Sequence, residues 1–357
     1  MKFRNTKNKT IEKSNLDKIN DNEFISDPKC IMHSQVFIDD SYTYSKSCHE
    51  RFDNTFCVFK SIENIYYLIY TNDENDKSII SYNIIEDIKI IEIKNAHKTY
   101  ITNFRYYFDS NNKRDLILSI SNNDSSIKLW NVNNWECLFD IEKIYTSDLY
   151  SSCFLNDNNQ LYILTSNYIG EVKIFDLNGI KIKEIKLNHN YIIICFYDKK
   201  LSKNFILSGN EGCVKSYDYK ENKVYHIYSD NDSAGHYNII INDKEEIIKL
   251  IESNSDGLIK IWNFHTAKLL MKIKVDNSRL YGLCLWNKDY LFVGCLDGTL
   301  KLIEIKSSRI IKELNGHNSI VLSIKKFYHP TLGECLVSQG SLDDPIRLWN
   351  YSFKIST

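Results

Sequence analysis

Proline is almost missing from this sequence. Pro28, Pro330 and Pro345 are the three among 357 residues, and none falls in the middle of a strand-like run, where its lack of an N–H would break a ladder. Cysteine occurs ten times but never as C-x-x-C, which excludes zinc-ribbon spacing. Several cysteines sit inside apolar runs, such as Cys195 in YIIICFY and Cys284 in YGLCLW, where a free thiol behaves as a small hydrophobe; a reducing compartment fits this usage. An excess of one charge is also missing, since 45 Lys and Arg face 46 Asp and Glu, so no global field draws the chain to nucleic acid or anionic lipid. No run approaches the ~18 apolar residues of a spanning helix, and the first twenty residues carry no apolar signal segment. The expectation is a cytoplasmic protein, with the nucleus as the alternative, and no membrane insertion.

Catalytic signatures are equally sparse. No Gly-rich phosphate loop follows a strand, and H-E-x-x-H, G-x-S-x-G and clustered metal ligands do not occur. Paired acids such as Asp343-Asp344 and Glu245-Glu246 fall in predicted turns, and the basic pairs Lys199-Lys200 and Lys325-Lys326 have no repeated aromatic platforms beside them. These absences argue against an enzyme, a metal, a cofactor and a small-molecule substrate, and they disfavour nucleic acid as a partner.

What the chain does have is a period. A turn, four alternating residues and an aromatic followed by Asn or Asp recur as DKSIISYNI (76–84), DSSIKLWNV (124–132), GEVKIFDL (170–177), GCVKSYDY (212–219), GLIKIWNF (257–264), GTLKLIEI (298–305) and DPIRLWNY (344–351). The aromatic column reads Tyr82, Trp130, Phe175, Tyr217, Trp262, Ile303 and Trp349, with spacings of 48, 45, 42, 45, 41 and 46 residues. Such a period suits a four-stranded unit. Alternation within each copy, with β-branched and aromatic residues prevailing, predicts strands. Three further strand-like runs accompany each copy; in the second unit they are ITNFRYYF (101–108), LILSIS (116–121) and ECLFDI (136–141). The predicted fold is all-β, a seven-bladed β-propeller of four-stranded blades.

These residues resemble the WD-repeat family, whose unit ends in Trp-Asp and begins near Gly-His. Trp130, Trp262 and Trp349 are followed by Asn in place of Asp, while Phe175-Asp176 and Tyr217-Asp218 keep the Asp; Gly316-His317 is an intact Gly-His and Ala96-His97 a near copy. An acid stands six positions before the aromatic as Asp76, Asp124, Glu211, Asp256, Asp297 and Asp343, with Ile169 taking its place in the third unit. The resemblance implies that two units complete a buried structural hydrogen-bond network: His97, Ser119, Asp124 and Trp130, and His317, Ser338, Asp343 and Trp349. The alternative for such a His-Ser-Asp set is a propeller-bodied hydrolase, which requires perturbed ionisable groups converging in one pocket.

Only eight residues follow Trp349, too few for a full outer strand. The last blade is therefore predicted to borrow SQVFIDDSY (34–42) from the N-terminus, which closes the ring and removes its edge. Residues 1–33 are then a disordered tail by composition, and 34–357 the propeller. One further column stands out. Tyr100, Tyr150, Tyr191, Tyr237 and Tyr281 begin the first strand in five of seven units, whereas a residue type with 24 copies in 357 would fill fewer than one of seven places by composition. First strands line a propeller's channel, so these tyrosines are predicted to ring one mouth as a peptide-binding collar, supplemented by Arg51 and Arg279; the alternative is packing between blades. Aromatic faces suit an apolar or cationic anchor. The predicted role is a non-catalytic scaffold for other proteins or peptides, with a histone- or RNA-associated subunit as a further alternative.

Overall fold

In the computed structural model the described residues are 29–31, 56–71, 77–187, 192–341 and 346–350. They form strands joined by turns. Strand β1 (Lys29–Ile31) is followed by blade 1, which comprises β2 (Cys57–Lys60), β3 (Tyr66–Thr71), β4 (Ile79–Asn83) and β5 (Ile88–Ile93). Blade 2 is β6 (Ile101–Asp109), β7 (Arg114–Ser121), β8 (Ser126–Asn131) and β9 (Glu136–Ile141); blade 3 is β10 (Leu149–Asp157), β11 (Gln160–Asn167), β12 (Glu171–Phe175) and β13 (Lys181–Lys186). Blade 4 is β14 (Ile192–Asp198), β15 (Lys203–Asn210), β16 (Cys213–Asp218) and β17 (Lys223–Tyr228); blade 5 is β18 (His236–Asn242), β19 (Lys249–Asn254), β20 (Leu258–Asn263) and β21 (Leu269–Lys274). Blade 6 is β22 (Leu280–Leu285), β23 (Tyr290–Cys295), β24 (Leu300–Glu304) and β25 (Arg309–Leu314), and blade 7 is β26 (Val321–His329), β27 (Gly333–Gly340) and β28 (Arg347–Asn350).

Each blade is an antiparallel sheet in simple up-and-down order. The first strands touch their neighbours in the cycle β2, β6, β10, β14, β18, β22, β26 and back to β2, so the ring is closed. The core lies between blades rather than within them. Phe292 and Leu302 of blade 6 pack with Ile324 and Trp349 of blade 7, and Tyr70 and Tyr82 of blade 1 with Phe327 and Val337 of blade 7. Alternation explains this: both faces of every inner strand are covered, so each blade needs two neighbours to bury its apolar residues.

The last blade is completed from the N-terminus, as the shortage of chain after Trp349 predicts. The strand that does so is β1, paired antiparallel with β28 so that Cys30 faces Trp349. It lies upstream of the predicted segment 34–42, which falls outside the described residues, and inside the stretch assigned to a tail. A three-residue strand carries no readable alternation, which is why the longer alternating run attracted the assignment.

Two local features repeat. In blades 1 to 6 the pairing between third and fourth strands shifts register immediately before the column residue, for example between Leu129 and Trp130 and between Ile261 and Trp262, a bulge that re-aims its side chain. The turn before the third strand needs a left-handed residue, supplied by Gly257 (φ 72°) in blade 5 and Gly298 (φ 85°) in blade 6. A Cβ on Gly257 would lie 2.0 Å from the Asp276 carbonyl oxygen, and one on Gly298 2.5 Å from that of His317. These glycines thus also let the next blade's entry loop rest directly on the turn.

Candidate functional site

The entry loops and the turns between second and third strands share one face of the ring. That face is held by buried polar networks, and their chemistry differs between blades. In blade 2 the Trp130 Nε1–H donates to Ser119 Oγ (2.9 Å), which lies 2.8 Å from His97 Nε2; His97 Nδ1 lies 2.7 Å from Ser126 Oγ, and Ser126 donates to Asp124 Oδ1 (2.9 Å). Each link then has one donor if Ser119 donates to Nε2 and Nδ1–H donates to Ser126. The predicted His97, Ser119, Asp124 and Trp130 therefore meet, with Ser126 as an unpredicted relay between the imidazole and the carboxylate. Burial, helped by the nearby Lys128 ammonium, pushes the imidazole down to about 3 against the opposing pull of Asp124. Ser119 and His97 are both buried and Ser119 Oγ also accepts the Trp130 indole N–H, so this set presents no hydroxyl to solvent.

Blade 7 repeats the core of this arrangement. Trp349 Nε1–H donates to Ser338 Oγ (2.7 Å), which lies 2.6 Å from His317 Nε2; Asp343 lies outside the described residues. Gly316 explains the Gly-His pair sterically, because a Cβ there would sit 2.8 Å from Trp349 Cη2.

Register identifies what the other blades do at the same places. His97 and His317 stand four residues before Ile101 and Val321, the first paired residues of their inner strands. The equivalents are Tyr145 before Leu149, Asp232 before His236 and Asp276 before Leu280. Each meets the cation two residues before the column aromatic, a place held by Lys128, Lys173, Lys215, Lys260, Lys301 and Arg347. Lys173 Nζ sits 4.4 Å over the Tyr145 ring and donates to the Ile144 carbonyl (2.6 Å), while the Tyr145 hydroxyl bonds Thr165. Lys301 pairs with Asp276 at 2.7 Å.

Blade 5 is the most charged. Fully buried Lys260 bridges Asp230 and Asp232; His236 contacts both Glu252 and Asp232, and Glu252 accepts from the Trp262 indole at 2.7 Å. Glu252 occupies the register place of Ser119, opposite the −2 lysine. Sequence reading missed this set, although the lysine column was visible in it.

The tyrosines are placed unevenly on this face. Tyr150, Tyr237 and Tyr281 fall where the first strand's register breaks after its opening pair, and Tyr100 lies just before β6. Tyr191 and Arg51 lie outside the described residues. Tyr100 is half-buried and donates to Asn123 Oδ1 at 3.1 Å, on the turn of its own blade. Tyr150 is half-buried with its ring 6.0 Å from that of Tyr168. Tyr281 is 6% exposed beneath the Arg279 guanidinium, 5.9 Å from its ring centroid, and so belongs to the wall rather than the rim. Tyr168 and Ile169, on the turn between β11 and β12, are 58% and 60% exposed. The sequence held a signal for them: Ile169 is the one break in the acidic column.

The opposite face has its own aromatics. Phe108, Tyr197 and Tyr328 share one register place, next to last on their inner strands, and all three are exposed. Among the described residues no cluster of His, Cys, Asp and Glu fits a metal ion, and no helix is long and apolar enough to cross a membrane.

No protein-family model matches the chain. It is similar to the U3 small nucleolar RNA-associated protein 21 homolog of Schizosaccharomyces pombe, 29% identical over 101 residues, 28% of this chain and 11% of that protein. It is also similar to the WD repeat domain-containing protein 83 homolog of Dictyostelium discoideum, 25% identical over 153 residues, 42% of this chain and 44% of that protein. Each match spans less than half the relative's length. In structure the chain resembles the computationally designed Ika8 protein, with a TM-score of 0.60 at 16% identity, covering 85% of this chain and 97% of that one. The seven four-stranded blades make the chain a β-propeller, and in sequence it is similar to a protein named for its WD repeats, consistent with the WD-repeat family.

Proposed function

We propose that the protein is a non-catalytic scaffold whose entry-loop face grips a peptide of a partner protein at Tyr150, Tyr168 and Ile169, with Tyr100 on the adjoining blade. The observation that carries this reading is the exposed Tyr168-Ile169 pair beside Tyr150, on a rim that buried networks hold fixed. Adjacent large apolar side chains exposed together beside a half-buried ring make a surface that a partner can cover, and aromatic faces bind with little side-chain ordering cost. The ligand chemistry this favours is an apolar or cationic anchor. The aromatics Phe108, Tyr197 and Tyr328 offer a second contact surface on the far face, which suits a platform for two partners.

A second setting, an RNA-containing nuclear assembly, is favoured by the name of the fission-yeast relative, which associates that protein with U3 small nucleolar RNA. Near-neutral charge makes protein contacts the route into such an assembly rather than direct phosphate binding.

The test is affinity capture from a native lysate with wild type and with the double variant Tyr150→Ala, Tyr168→Ala. Loss of specific proteins from a variant that melts like wild type supports the rim. Retention of every partner moves the contact to another surface, and ribonuclease-sensitive capture points to the RNA-containing assembly.

A further inference from the structure

Among the described residues the strands of separate blades share no ladder, and the joints between them are packed largely by side chains. Two thiols lie among the side chains that pack the joint between blades 3 and 4. Cys153 on β10 and Cys195 on β14 bring their Sγ atoms to 3.0 Å. Cys153 is buried in an apolar cluster with Cys195 packed against it, and Cys195 is half-buried. Arg105 reaches across from blade 2, donating from Nε to the Ser152 carbonyl at 2.8 Å, which sets a guanidinium beside the pair. A disulfide needs about 2.05 Å between sulfurs, about 1 Å closer than the two atoms lie here.

We propose that Cys153 and Cys195 are a redox site, closing to a reversible disulfide that staples blade 3 to blade 4 when the protein meets a peroxide. The Cys195 thiolate attacks one peroxide oxygen; an S–O bond forms, the O–O bond breaks, and the leaving hydroxide takes a proton to become water. The Cys153 thiolate then attacks the Cys195 sulfur; the S–S bond forms, the S–O bond breaks, and a second hydroxide leaves as water. Two thiols lose two electrons and the peroxide is reduced to two waters. A dithiol reductant reverses the step. The hydrogen bond with Cys153 and burial hold the Cys195 thiol well above its usual range, against the pull of Arg105. Closure is therefore slow near neutrality and speeds up as pH rises. The resulting covalent loop spans a whole blade repeat, and it stands independently of the rim reading.

The test treats the full chain with hydrogen peroxide, blocks remaining thiols by alkylation, and maps peptides by mass spectrometry. The expected result is a Cys153–Cys195 linked peptide, lighter by two hydrogens than its two thiol parts, lost on dithiothreitol, formed faster at pH 9 than at pH 7, and accompanied by a higher melting temperature. Recovery of both cysteines alkylated under conditions that oxidise exposed Cys137 overturns the proposal, as does linkage of either to a different cysteine. Cys153→Ser and Cys195→Ser must each abolish the peroxide-induced rise in melting; persistence in either variant counts against the staple. Should a variant fail to fold, the wild-type peptide map decides alone.

Discussion

Blades 2 and 5 hold the same indole in the same place by opposite means. Trp130 donates to a serine hydroxyl backed by a neutral imidazole, whereas Trp262 donates to a buried carboxylate within a set of three acids, a lysine and a histidine. Local hydrogen-bond geometry is nearly the same in the two blades. What differs is the cost of losing one member. A neutral chain left incomplete orphans a polar group, worth about 1–3 kcal/mol, while a charged set left incomplete strands an ion. The ring therefore tolerates either solution, but the charged blade is the more brittle one.

The lysine column offers the sharpest way to break this comparison. Lys260→Met keeps the stem and removes the charge, leaving Asp230, Asp232 and Glu252 without their buried cation, and a loss of about 3–5 kcal/mol is expected in denaturant unfolding. Lys128→Met, at the equivalent place in blade 2, removes only a partly exposed pair with Asp140 and should cost under about 1 kcal/mol. Equal losses would mean that the two blades are not electrostatically different. Next in size, Ser119→Ala orphans both the Trp130 indole and a His97 nitrogen, an expected loss of about 2 kcal/mol, with partner capture unchanged once the protein is folded.

Tyrosine substitutions extend the contrast to exposed and buried rings. Tyr281→Ala empties a buried site and should destabilise by about 2 kcal/mol or more. Tyr168→Ala, on the exposed turn, should stay within about 0.5 kcal/mol of wild type. If the two melt alike, the division into wall and rim fails.

The blade count was readable because one strand pattern repeats with a conspicuous aromatic. The neutral network was readable because His97, Ser119 and Trp130 are residue types that mark their own roles. Asp232 and Lys260 were not, since acids and lysines are ordinary surface residues until folding brings a loop acid 28 positions away onto the lysine. Nor does any residue announce the bulge before each column residue, which arises from how two strands share a twist. Tyr281 and Tyr150 look equivalent in the sequence and occupy the same register place, yet their burial differs. The reason lies in what covers them: an arginine two residues upstream lies over one, and an exposed tyrosine on the next turn meets the other.

A pH change also separates the two blades. His97 titrates near 6.5 when unfolded and at about 3 in the fold, so the unfolded chain binds the extra proton and stability falls as pH drops below about 6.5. At pH 5.5 this group alone removes about 1.4 kcal/mol. The blade 5 acid behaves otherwise: burial works against its charge, but Lys260 and Lys272 bring Asp230 down to about 2, so its contribution is intact at pH 5.5 and is lost only below about 4. Unfolding measured at pH 7.5 and 5.5 should therefore show wild type losing about 1.4 kcal/mol more than His97→Asn. Matching losses would mean that the imidazole takes up its proton inside the fold, which the relay through Ser126 to Asp124 would then have to accommodate.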